Sequence, residues 1–321
     1  MAPPFKLAIL DDFQGASLAA GPWERLTGKV EITVFRDHLA DPDALAERLQ
    51  AFDMVFAIRE RSPMPRSLLE KLPNLKLLIT AGGRNRAIDA AYCAEKGIVF
   101  SGTPSFGAPT VDLTWGLIIG LMRDIPAQQD SLRARGWQTV IGRGLEGRRL
   151  GVIGLGNLGG KVAKVGQAFG MEVVAWSPNL TAERAAEVGV ARVERDELLS
   201  TSDVVTLHVV LSDRSRGMIG ADQIALMKSD ALLINTSRGP LVDQEALIDA
   251  LKLGRIGGAG LDVYDQEPLP DDHPLLDAPH TLLTPHLGYV TEENYRAYFE
   301  GAVEAVEAFL AGSPIRLIKP A

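Results

Sequence analysis

Short apolar, β-rich runs alternate with helical stretches along the first hundred residues of the chain. The predicted strands are residues 6–10, 30–35, 54–58, 75–80 and 98–100. Helices are predicted between them at 41–51 and 86–96, and Gly97 closes the second. Alternation at this spacing is typical of βαβ units, in which each helix returns the chain to a parallel strand.

A second series of strands follows a long helix that is predicted at 111–135. Its strands are 149–153, 171–176, 203–208, 231–235, 258–263 and 281–283. The helices between them include 221–228 and 244–253, with Asp243 as a plausible N-cap of the latter and Gly254 as its stop. Two such series predict an α/β fold with two doubly wound parallel-sheet domains. A final helix at 292–311 could pack on either domain.

Composition and charge narrow the class of protein. The length of 321 residues fits about two domains. A formal net charge of −8 argues against a nucleic-acid-binding protein, because binding to phosphate backbones favours a basic surface. The single cysteine, Cys93, excludes an intramolecular disulfide and fits a reducing compartment.

No membrane partner is expected from the hydrophobic pattern. The longest apolar run, 113–122, is much shorter than the ~20 residues that span a bilayer. A signal peptide is not expected either, because a strand begins almost at once and Asp11 and Asp12 follow it. We therefore predict a cytoplasmic protein.

A glycine-rich turn, Gly154-Leu-Gly-Asn-Leu-Gly159, joins a predicted strand to a predicted helix. Gly154 would allow the tight turn, Gly156 would let the backbone approach a pyrophosphate, and Gly159 would let helix and strand pack closely. The helix N-terminus would bind the anion through its free N–H groups and its dipole. The turn therefore predicts a dinucleotide-binding domain.

The end of the next strand bears on the choice between NAD and NADP. An NAD-specific site usually has an acidic residue there, which binds the ribose hydroxyls, but this chain has Ser177. Arg184 lies further on and could reach a 2′-phosphate only if the turn folds back. The hypothesis is use of NADP or of both cofactors.

Three more motifs follow in order: Asn235-Thr-Ser-Arg-Gly239, Asp262-Val-Tyr-Asp-Gln-Glu-Pro268 and Thr284-Pro-His286. Together with the glycine turn they resemble the D-isomer-specific 2-hydroxyacid dehydrogenase family, which includes phosphoglycerate, glycerate, lactate and glyoxylate/hydroxypyruvate members. The resemblance covers nearly the whole chain. It implies an oxidoreductase that transfers a hydride between NAD or NADP and a small 2-oxo acid, giving the D-2-hydroxy acid.

The resemblance also implies that the two domains bind different molecules. Residues 1–102 with 290–321 would form a flavodoxin-like substrate domain, and residues 103–289 a Rossmann NAD(P)-binding domain. The helix at 111–135 would form the contact of a homodimer. Its apolar side chains, which are too many for an exposed helix, are Trp115, Leu117, Ile118, Ile119, Leu121 and Met122.

The family's catalytic residues correspond to Arg238, Glu267 and His286. Arg238 can bind the carboxylate of a 2-oxo acid through its planar guanidinium and polarise the neighbouring carbonyl. His286 can protonate the developing alkoxide and take the proton back in the reverse direction. Glu267 can hold the imidazole in one orientation and favour its charged form.

Other site residues are predicted from these motifs and from the ends of neighbouring strands, and no metal site is predicted. The predicted cofactor-binding residues are Gly154, Gly156, Asn157, Leu158, Gly159, Ser177, His208, Thr236 and Asp262. The resemblance places Asp262 near the nicotinamide carboxamide. His208 stands at the end of a strand beside the cofactor cleft, so it is expected to be a backbone position of the cofactor site rather than a catalyst.

The resemblance implies that the loop after the fourth strand binds the substrate carboxylate through the backbone N–H groups of Gly82, Gly83 and Arg84, alongside Arg238. The family usually has a second glycine where Arg84 stands. Arg84 could bind a second carboxylate or a phosphate of the substrate, or it could point outward or pair with an acid. Arg59 and Arg61 are further candidates for the same role.

Two alternative functions remain open at this point. A dinucleotide-sensing corepressor would bind the cofactor without fast turnover, but the chain lacks the added tails or basic segments for that role. A formate-dehydrogenase-like enzyme would need no proton donor for an alkoxide, and the long extra segments typical of that branch are not seen.

Overall fold

The two predicted series of strands form two parallel sheets, each in its own structural unit. The computed structural model describes residues 4–320, and the chain divides into Met1–Phe106 with Val290–Ala321 and, separately, Gly107–Tyr289. The predicted boundaries were 102/103 and 289/290. The outermost residues of the predicted first domain, 1–3 and 321, lie outside the described residues, as does the start of the N-terminal stretch that was considered as a signal peptide.

The first unit contains a five-stranded sheet. Its strands are β1 (Phe5–Ile9), β2 (Val30–Val34), β3 (Met54–Ala57), β4 (Leu77–Thr80) and β5 (Val99–Gly102), and its helices before β5 are α1 (Ser17–Ala20), α2 (Pro42–Leu49), α3 (Arg66–Leu69) and α4 (Ala90–Lys96). All neighbours are parallel, in the order β2-β1-β3-β4-β5. This is the flavodoxin-like order. The central strands β3 and β4 are apolar and buried at nearly every position, as expected for a parallel sheet with both faces covered.

Helix α4 begins four residues later than the predicted start at 86. Ile88 pairs with Met64 in an isolated parallel bridge, which keeps this part of the chain extended. The side chain of Asp89 then accepts a hydrogen bond from the N–H of Tyr92 at 2.8 Å and caps the helix. Gly97, in the left-handed region at φ 70°, ends it as predicted.

The second unit contains a seven-stranded sheet. Its strands are β6 (Arg149–Ile153), β7 (Glu172–Trp176), β8 (Ala191–Arg192), β9 (Val204–Leu207), β10 (Leu232–Asn235), β11 (Gly258–Leu261) and β12 (Thr281–Leu283). Its helices are α5 (Ala108–Met122), α6 (Ile125–Arg133), α7 (Asn157–Ala168), α8 (Ala182–Glu187), α9 (Arg195–Thr201), α10 (Ala221–Leu226) and α11 (Gln244–Lys252). The order is β12-β11-β10-β9-β6-β7-β8, with every pair parallel. The strand order reverses at β6, the point where ligands bind in doubly wound sheets.

The prediction of one helix at 111–135 was wrong, because the chain breaks it into α5 and α6. Asp124, between them, adopts the left-handed region at φ 48°. The apolar side chains of α5 are largely internal, since Trp115, Leu117, Ile118 and Met122 are buried in the core of the same unit. Helix α5 packs on β10, β11 and β12. Its hydrophobicity therefore reflects packing on its own sheet.

Helix α12 (Glu292–Leu310) returns to the first unit and completes its core. The side chain of Phe299 is fully buried, and its ring centroid lies 5.3 Å from that of Phe56 in β3 and 6.2 Å from that of Trp23. The choice that the sequence left open is thus settled in favour of the first unit. Among the described residues, no helix is long and apolar enough to cross a membrane.

Candidate active site

The glycine turn after β6 is shaped by close backbone contacts. Gly154 has φ +100°, and a Cβ there would lie 2.7 Å from the carbonyl carbon of His208. A Cβ on Gly159 would overlap with the carbonyl oxygen of Gly154, so the first turn of α7 lies directly on the loop. Both positions exclude a side chain for steric reasons, as the sequence predicted for a dinucleotide turn.

Gly156 differs from these two glycines, because it faces open space. It is the N-cap residue of α7, it makes no side-chain cap, and a Cβ there would meet no heavy atom within 4 Å. The N-terminal N–H groups of a helix, among them those of Asn157 and Leu158, require an acceptor that such space can hold. The turn therefore fits a pyrophosphate group at the helix N-terminus.

The two arginines that follow β7 are engaged with other groups. Arg184 forms an ion pair with Glu187, one turn further along α8. Arg192 donates from Nε to the carbonyl oxygen of Leu180 at 2.9 Å and pairs with Glu194. Ser177 directly follows β7, where the sequence predicted a cofactor contact.

His208 follows β9 and lies beside the glycine turn. Its Nε2 is 2.9 Å from the hydroxyl oxygen of Thr206, and burial lowers the pKa of the imidazole to about 4. The ring is therefore neutral near pH 7. A neutral histidine whose Nε2 bonds to Thr206 is compatible with a backbone position in the cofactor site, and that role stays a prediction.

His286 and Glu267 form a direct pair. Nδ1 of His286 lies 2.6 Å from Oε2 of Glu267, and the other carboxylate oxygen accepts a hydrogen bond from the N–H of Tyr264 at 2.9 Å. A carboxylate can only accept, so Nδ1 carries the proton and Nε2 is the remaining reactive nitrogen. The ring also packs edge-on against Tyr289, with centroids 5.3 Å apart.

The loop that carries His286 is fixed by the buried carboxylate of Asp262. Oδ1 accepts hydrogen bonds from the hydroxyl of Thr284 and the N–H of Leu287, both at 2.6 Å, and Oδ2 accepts from the N–H of Gly288 at 2.9 Å. Burial raises the pKa of Asp262, while these hydrogen bonds favour the ionised form. His286 itself lies in the left-handed region at φ 53°, an unusual conformation for a residue other than glycine.

Arg238 is carried by a second ordered loop. The side chain of Asn235 donates to the carbonyl oxygen of Arg238 at 2.9 Å and accepts from the N–H of Ser237 at 3.0 Å. A guanidinium nitrogen of Arg238 donates to the carbonyl oxygen of Ser237 at 2.7 Å. The next residue, Gly239, is buried, and a Cβ there would overlap with the carbonyl group of Tyr264. The Arg238 loop therefore packs on the segment that leads to Glu267.

The strand order explains how these groups come together. Arg238, Glu267 and His286 follow β10, β11 and β12, which are consecutive neighbours in a parallel sheet, so their loops emerge at the same edge. Glu267 and His286 are in direct contact, and Arg238 lies on the adjoining loop. Thr236, at the end of β10, is buried with its hydroxyl 2.8 Å from that of Thr114.

The predicted substrate loop lies at the carboxyl edge of the sheet in the first unit. Gly82 has φ +86°, and its N–H donates to the hydroxyl of Thr103 at 2.8 Å. This N–H is therefore not available to the substrate, contrary to the prediction. Gly83 and Arg84 are exposed, which leaves their N–H groups as the predicted donors. Asn85 is buried and fixes the loop through hydrogen bonds to the hydroxyl of Thr80 at 2.9 Å and the carbonyl oxygen of Arg59 at 2.6 Å.

The sequence pattern of the family described as D-isomer specific 2-hydroxyacid dehydrogenase, NAD binding domain, matches residues 115–288, more than half of the chain. The chain belongs to this family. It is 32% identical to a hydroxypyruvate reductase of Blautia hydrogenotrophica over 98% of the chain and 99% of that protein. A solved phosphoglycerate oxidoreductase of Vibrio cholerae superposes with a TM-score of 0.91 at 36% identity, covering 96% of this chain and 100% of that one.

Three of the relatives, all D-3-phosphoglycerate dehydrogenases, are considerably longer than the chain. A D-3-phosphoglycerate dehydrogenase of Methanocaldococcus jannaschii is 38% identical over 84% of the chain but only 52% of its own length, so the chain spans about half of that protein. Two more distant solved structures contain NAD and NADPH. The predicted family, the two-sheet α/β fold and a nicotinamide dinucleotide as the cofactor class are confirmed. The names of the relatives favour a 2-hydroxyacid dehydrogenase over the corepressor-like and formate-dehydrogenase-like alternatives.

Several residues that order the site were not singled out from the sequence. The N–H of Tyr264 donates a hydrogen bond to Glu267, and the hydroxyl of Thr284 donates one to Asp262. Gly239 has no side chain, which leaves room for the backbone of Tyr264. All three lie inside the recognised motifs, so their positions in the sequence could have indicated that they belong to the site. Thr110, whose hydroxyl donates to the carbonyl oxygen of Gly288 at 2.8 Å, lies far from these motifs in the sequence and gave no such signal.

Proposed function

We propose that the protein catalyses reversible hydride transfer between NAD(P)H and the carbonyl carbon of a small 2-oxo acid, with the D-2-hydroxy acid as product. The observation that carries this proposal is the 2.6 Å contact between Nδ1 of His286 and Oε2 of Glu267, next to the loop that bears Arg238. An imidazole oriented by a carboxylate is suited to proton transfer. A guanidinium beside it is suited to binding a carboxylate.

When bound, the dinucleotide supplies or accepts the hydride. The chain's own residues transfer the proton to and from the substrate oxygen and stabilise the charges that develop. During reduction Nε2–H of His286 protonates the carbonyl oxygen of the substrate, and during oxidation the neutral Nε2 takes that proton back. Glu267 stabilises the imidazolium throughout, because its carboxylate stays on Nδ1.

Arg238 is proposed to bind the substrate carboxylate and to polarise the carbonyl. Its backbone is held by Asn235 on one side and by the packing of Gly239 on Tyr264 on the other. A planar guanidinium can make two parallel hydrogen bonds to a carboxylate, which orients the 2-oxo acid as well as binding it. Orientation of this kind contributes to the rate by holding the carbonyl in a reactive position.

The cofactor site is proposed to comprise the glycine turn, Ser177, His208, Thr236 and Asp262. Ser177 supports use of NADP, or of both cofactors, because no acidic side chain at that position would repel a 2′-phosphate. Arg184 is less available to a 2′-phosphate than the sequence suggested, since it pairs with Glu187. The ratio of kcat/KM for NADPH and NADH measures the preference, and a hundredfold preference for NADH would refute the proposal.

In the first unit, the backbone N–H groups of Gly83 and Arg84 are proposed to bind an anionic group of the 2-oxo acid. Gly83 has open space around it, since a Cβ there would meet no heavy atom within 4 Å. The side chain of Arg84 is exposed on the same loop and supplies a cation for a second anionic group of the substrate. Domain roles follow from this assignment: residues 1–102 with 290–321 would serve the substrate, and 103–289 the cofactor.

The decisive experiment follows absorbance at 340 nm with NADH and NADPH against a panel of oxo acids. Glyoxylate, hydroxypyruvate, 2-oxobutyrate, oxaloacetate and phosphohydroxypyruvate span the sizes and charges of interest. We expect turnover of at least one of them and its loss in His286→Ala and Arg238→Ala, with cofactor binding retained. Retention of more than a tenth of the wild-type kcat/KM in either variant would contradict the assigned role. A protein that binds dinucleotide tightly but reduces none of the panel would support a sensing role instead.

A homodimer is proposed as well, through α6, which lies inside the predicted segment 111–135, and the residues after it, rather than through the apolar side chains of α5. Side chains of α6 and of the segment after it are apolar and exposed; they include Leu132, Trp137 at 73% exposure and Ile141 at 96%. Exposed apolar surface of this kind marks an interaction site, and a second copy of the chain is the partner that the family suggests. Light scattering on the wild type and on Ile141→Asp tests this. The cytoplasmic location remains a prediction.

A further inference from the structure

Two threonines in the first turns of α5 connect the two loops that carry Arg238 and His286. The first is Thr110, whose hydroxyl donates to the carbonyl oxygen of Gly288 at 2.8 Å. The N–H of the same Gly288 donates to Oδ2 of Asp262 at 2.9 Å. The backbone two residues after His286 is therefore held from both sides, by α5 and by the end of β11.

Several further hydrogen bonds restrain the loop that carries His286. Besides Gly288, the N–H of Leu287 and the hydroxyl of Thr284 bond to Oδ1 of Asp262, each at 2.6 Å. The N–H of His286 itself bonds to the carbonyl oxygen of Thr284 at 3.0 Å. Because His286 has φ 53°, the loop must be restrained to keep this conformation. Thr110 supplies the restraint that comes from outside β11 and β12.

The second threonine, Thr114, reaches the other loop. Its hydroxyl donates to the carbonyl oxygen of Thr110 at 2.7 Å and lies 2.8 Å from the hydroxyl oxygen of Thr236. A hydroxyl has one proton, and that of Thr114 goes to Thr110, so Thr236 must be the donor in the second bond. Thr236 is buried and stands two residues before Arg238. Thr114 thus anchors the base of the Arg238 loop.

Helix α5 can serve as a common anchor because it packs closely on the sheet. A Cβ on Gly260 in β11 would lie 3.1 Å from the Cβ of Leu117, and a Cβ on Gly120 would lie 2.6 Å from a methyl carbon of Leu282 in β12. Glycine at these two points brings helix and strands together. The helix is therefore a rigid element from which both threonines can act.

We infer that Thr110 and Thr114 are positioning residues: Thr110 sets the orientation of His286, and Thr114 sets the position of Arg238. This inference rests on the proposed function of those two side chains. It predicts different kinetic consequences for the two threonines, since one acts on the proton donor and the other on the substrate carboxylate.

The test compares Thr110→Val with Thr110→Ser. Valine keeps the shape but removes the donor, and serine keeps the donor. We expect Thr110→Val to lower kcat by on the order of tenfold to a hundredfold, as a misplaced catalytic group does. We expect KM for the oxo acid to change little and the solvent deuterium isotope effect on kcat to rise, because proton transfer becomes slower. Thr110→Ser should stay within about threefold of wild type.

Thr114→Val should affect substrate binding instead of proton transfer. We expect KM for the oxo acid to rise and the solvent deuterium isotope effect on kcat to stay unchanged. The matched control is Thr281→Val, because the Thr281 hydroxyl also donates to a backbone carbonyl, that of Ala278 at 3.0 Å, at the opposite end of β12 from the His286 loop. Its kinetics should match wild type. Equal losses in the control, or equal losses in Thr110→Ser and Thr110→Val, would overturn the inference.

A readout that does not depend on turnover completes the test. The ring resonances of His286, assigned from their disappearance in His286→Ala, report its orientation in the cofactor-free protein. We expect shifted or broadened resonances in Thr110→Val but not in Thr281→Val. Unchanged resonances together with unchanged kcat would refute the inference while leaving the proposed function intact. Failure of the wild type to reduce any oxo acid would instead refute the proposed function.

Discussion

Gly239 lies directly against the backbone of Tyr264, so closely that a side-chain carbon on Gly239 would overlap with the Tyr264 carbonyl group. The N–H of the same Tyr264 bonds to Glu267. One close backbone contact therefore connects the loop of the guanidinium with the segment of the carboxylate that orients His286.

Replacing Gly239 with alanine should disturb both groups at once. The backbone must shift to admit the methyl group, so we expect the free energy of unfolding to fall by about 1–3 kcal/mol. We also expect kcat/KM to fall by at least about tenfold, because Arg238 moves with the loop. Urea unfolding and steady-state kinetics measure the two effects. Gly116→Ala is the control, since its Cβ would meet nothing within 4 Å, and it should leave stability equal or slightly higher.

Glu267→Gln should change the pH dependence of turnover. The amide retains the shape of the side chain but removes the negative charge beside Nδ1 of His286. Without that charge the imidazolium is less stable, so the alkaline limb of the kcat/KM profile for reduction should move to lower pH. We expect kcat to fall by on the order of a hundredfold.

The control for this charge effect is Glu245→Gln, which neutralises an exposed glutamate in the first turn of α11. Its profile should coincide with that of the wild type. A Glu267→Gln profile that does not move would remove Glu267 from the proposed proton-transfer pair.

His208 should make the protein less stable in mild acid. Burial lowers its pKa from 6.5 to about 4, so the folded state binds the proton less readily than the unfolded state. The stability associated with the neutral ring is present above pH 6.5 and is lost as the pH falls toward 4. Between pH 7.5 and pH 5 the loss should amount to about 2 kcal/mol.

The measurement is the free energy of unfolding of the wild type and of His208→Gln at both pH values. Other groups titrate in both proteins, so the difference between the proteins isolates His208. A difference that stays constant between pH 7.5 and pH 5 would show that His208 is not held neutral by burial.

Arg84→Ala should separate substrates by charge. If Arg84 binds a second anionic group, kcat/KM should fall by about tenfold for oxaloacetate and phosphohydroxypyruvate and change little for glyoxylate. Arg86→Ala, on the same exposed loop, serves as the control. Equal effects of Arg84→Ala on all substrates would exclude the side chain from substrate selection.

The sequence predicted the strands well, apart from the two-residue strand β8, because strands depend on local pattern. The strands at 149–153 and 281–283 were predicted to the residue, and Asp243 caps α11 as expected. Arg238, Glu267 and His286 stand in recognisable motifs after three neighbouring strands. Hydrophobic periodicity therefore predicted most of the fold, and motif order supplied the candidate residues of the site, whose roles stay predictions.

What the sequence did not reveal depends on contacts between distant segments. The break at Asp124 is a backbone conformation that periodicity does not encode. The apolar face of α5 suggested a dimer contact because sequence does not distinguish a helix buried under its own sheet from one buried by a partner. The bond from Thr110 to Gly288 joins residues 178 positions apart, so no local pattern could indicate it.

The return of α12 to the first unit has a consequence for how the chain is made. Phe299 fills the space beside Phe56 and Trp23, but it leaves the ribosome only after the whole of 107–289 has been synthesised. The N-terminal sheet therefore lacks part of its core while the second unit is translated and can already fold. During that interval the nascent chain exposes the apolar surface that Phe299 later covers, which is the kind of surface that chaperones bind.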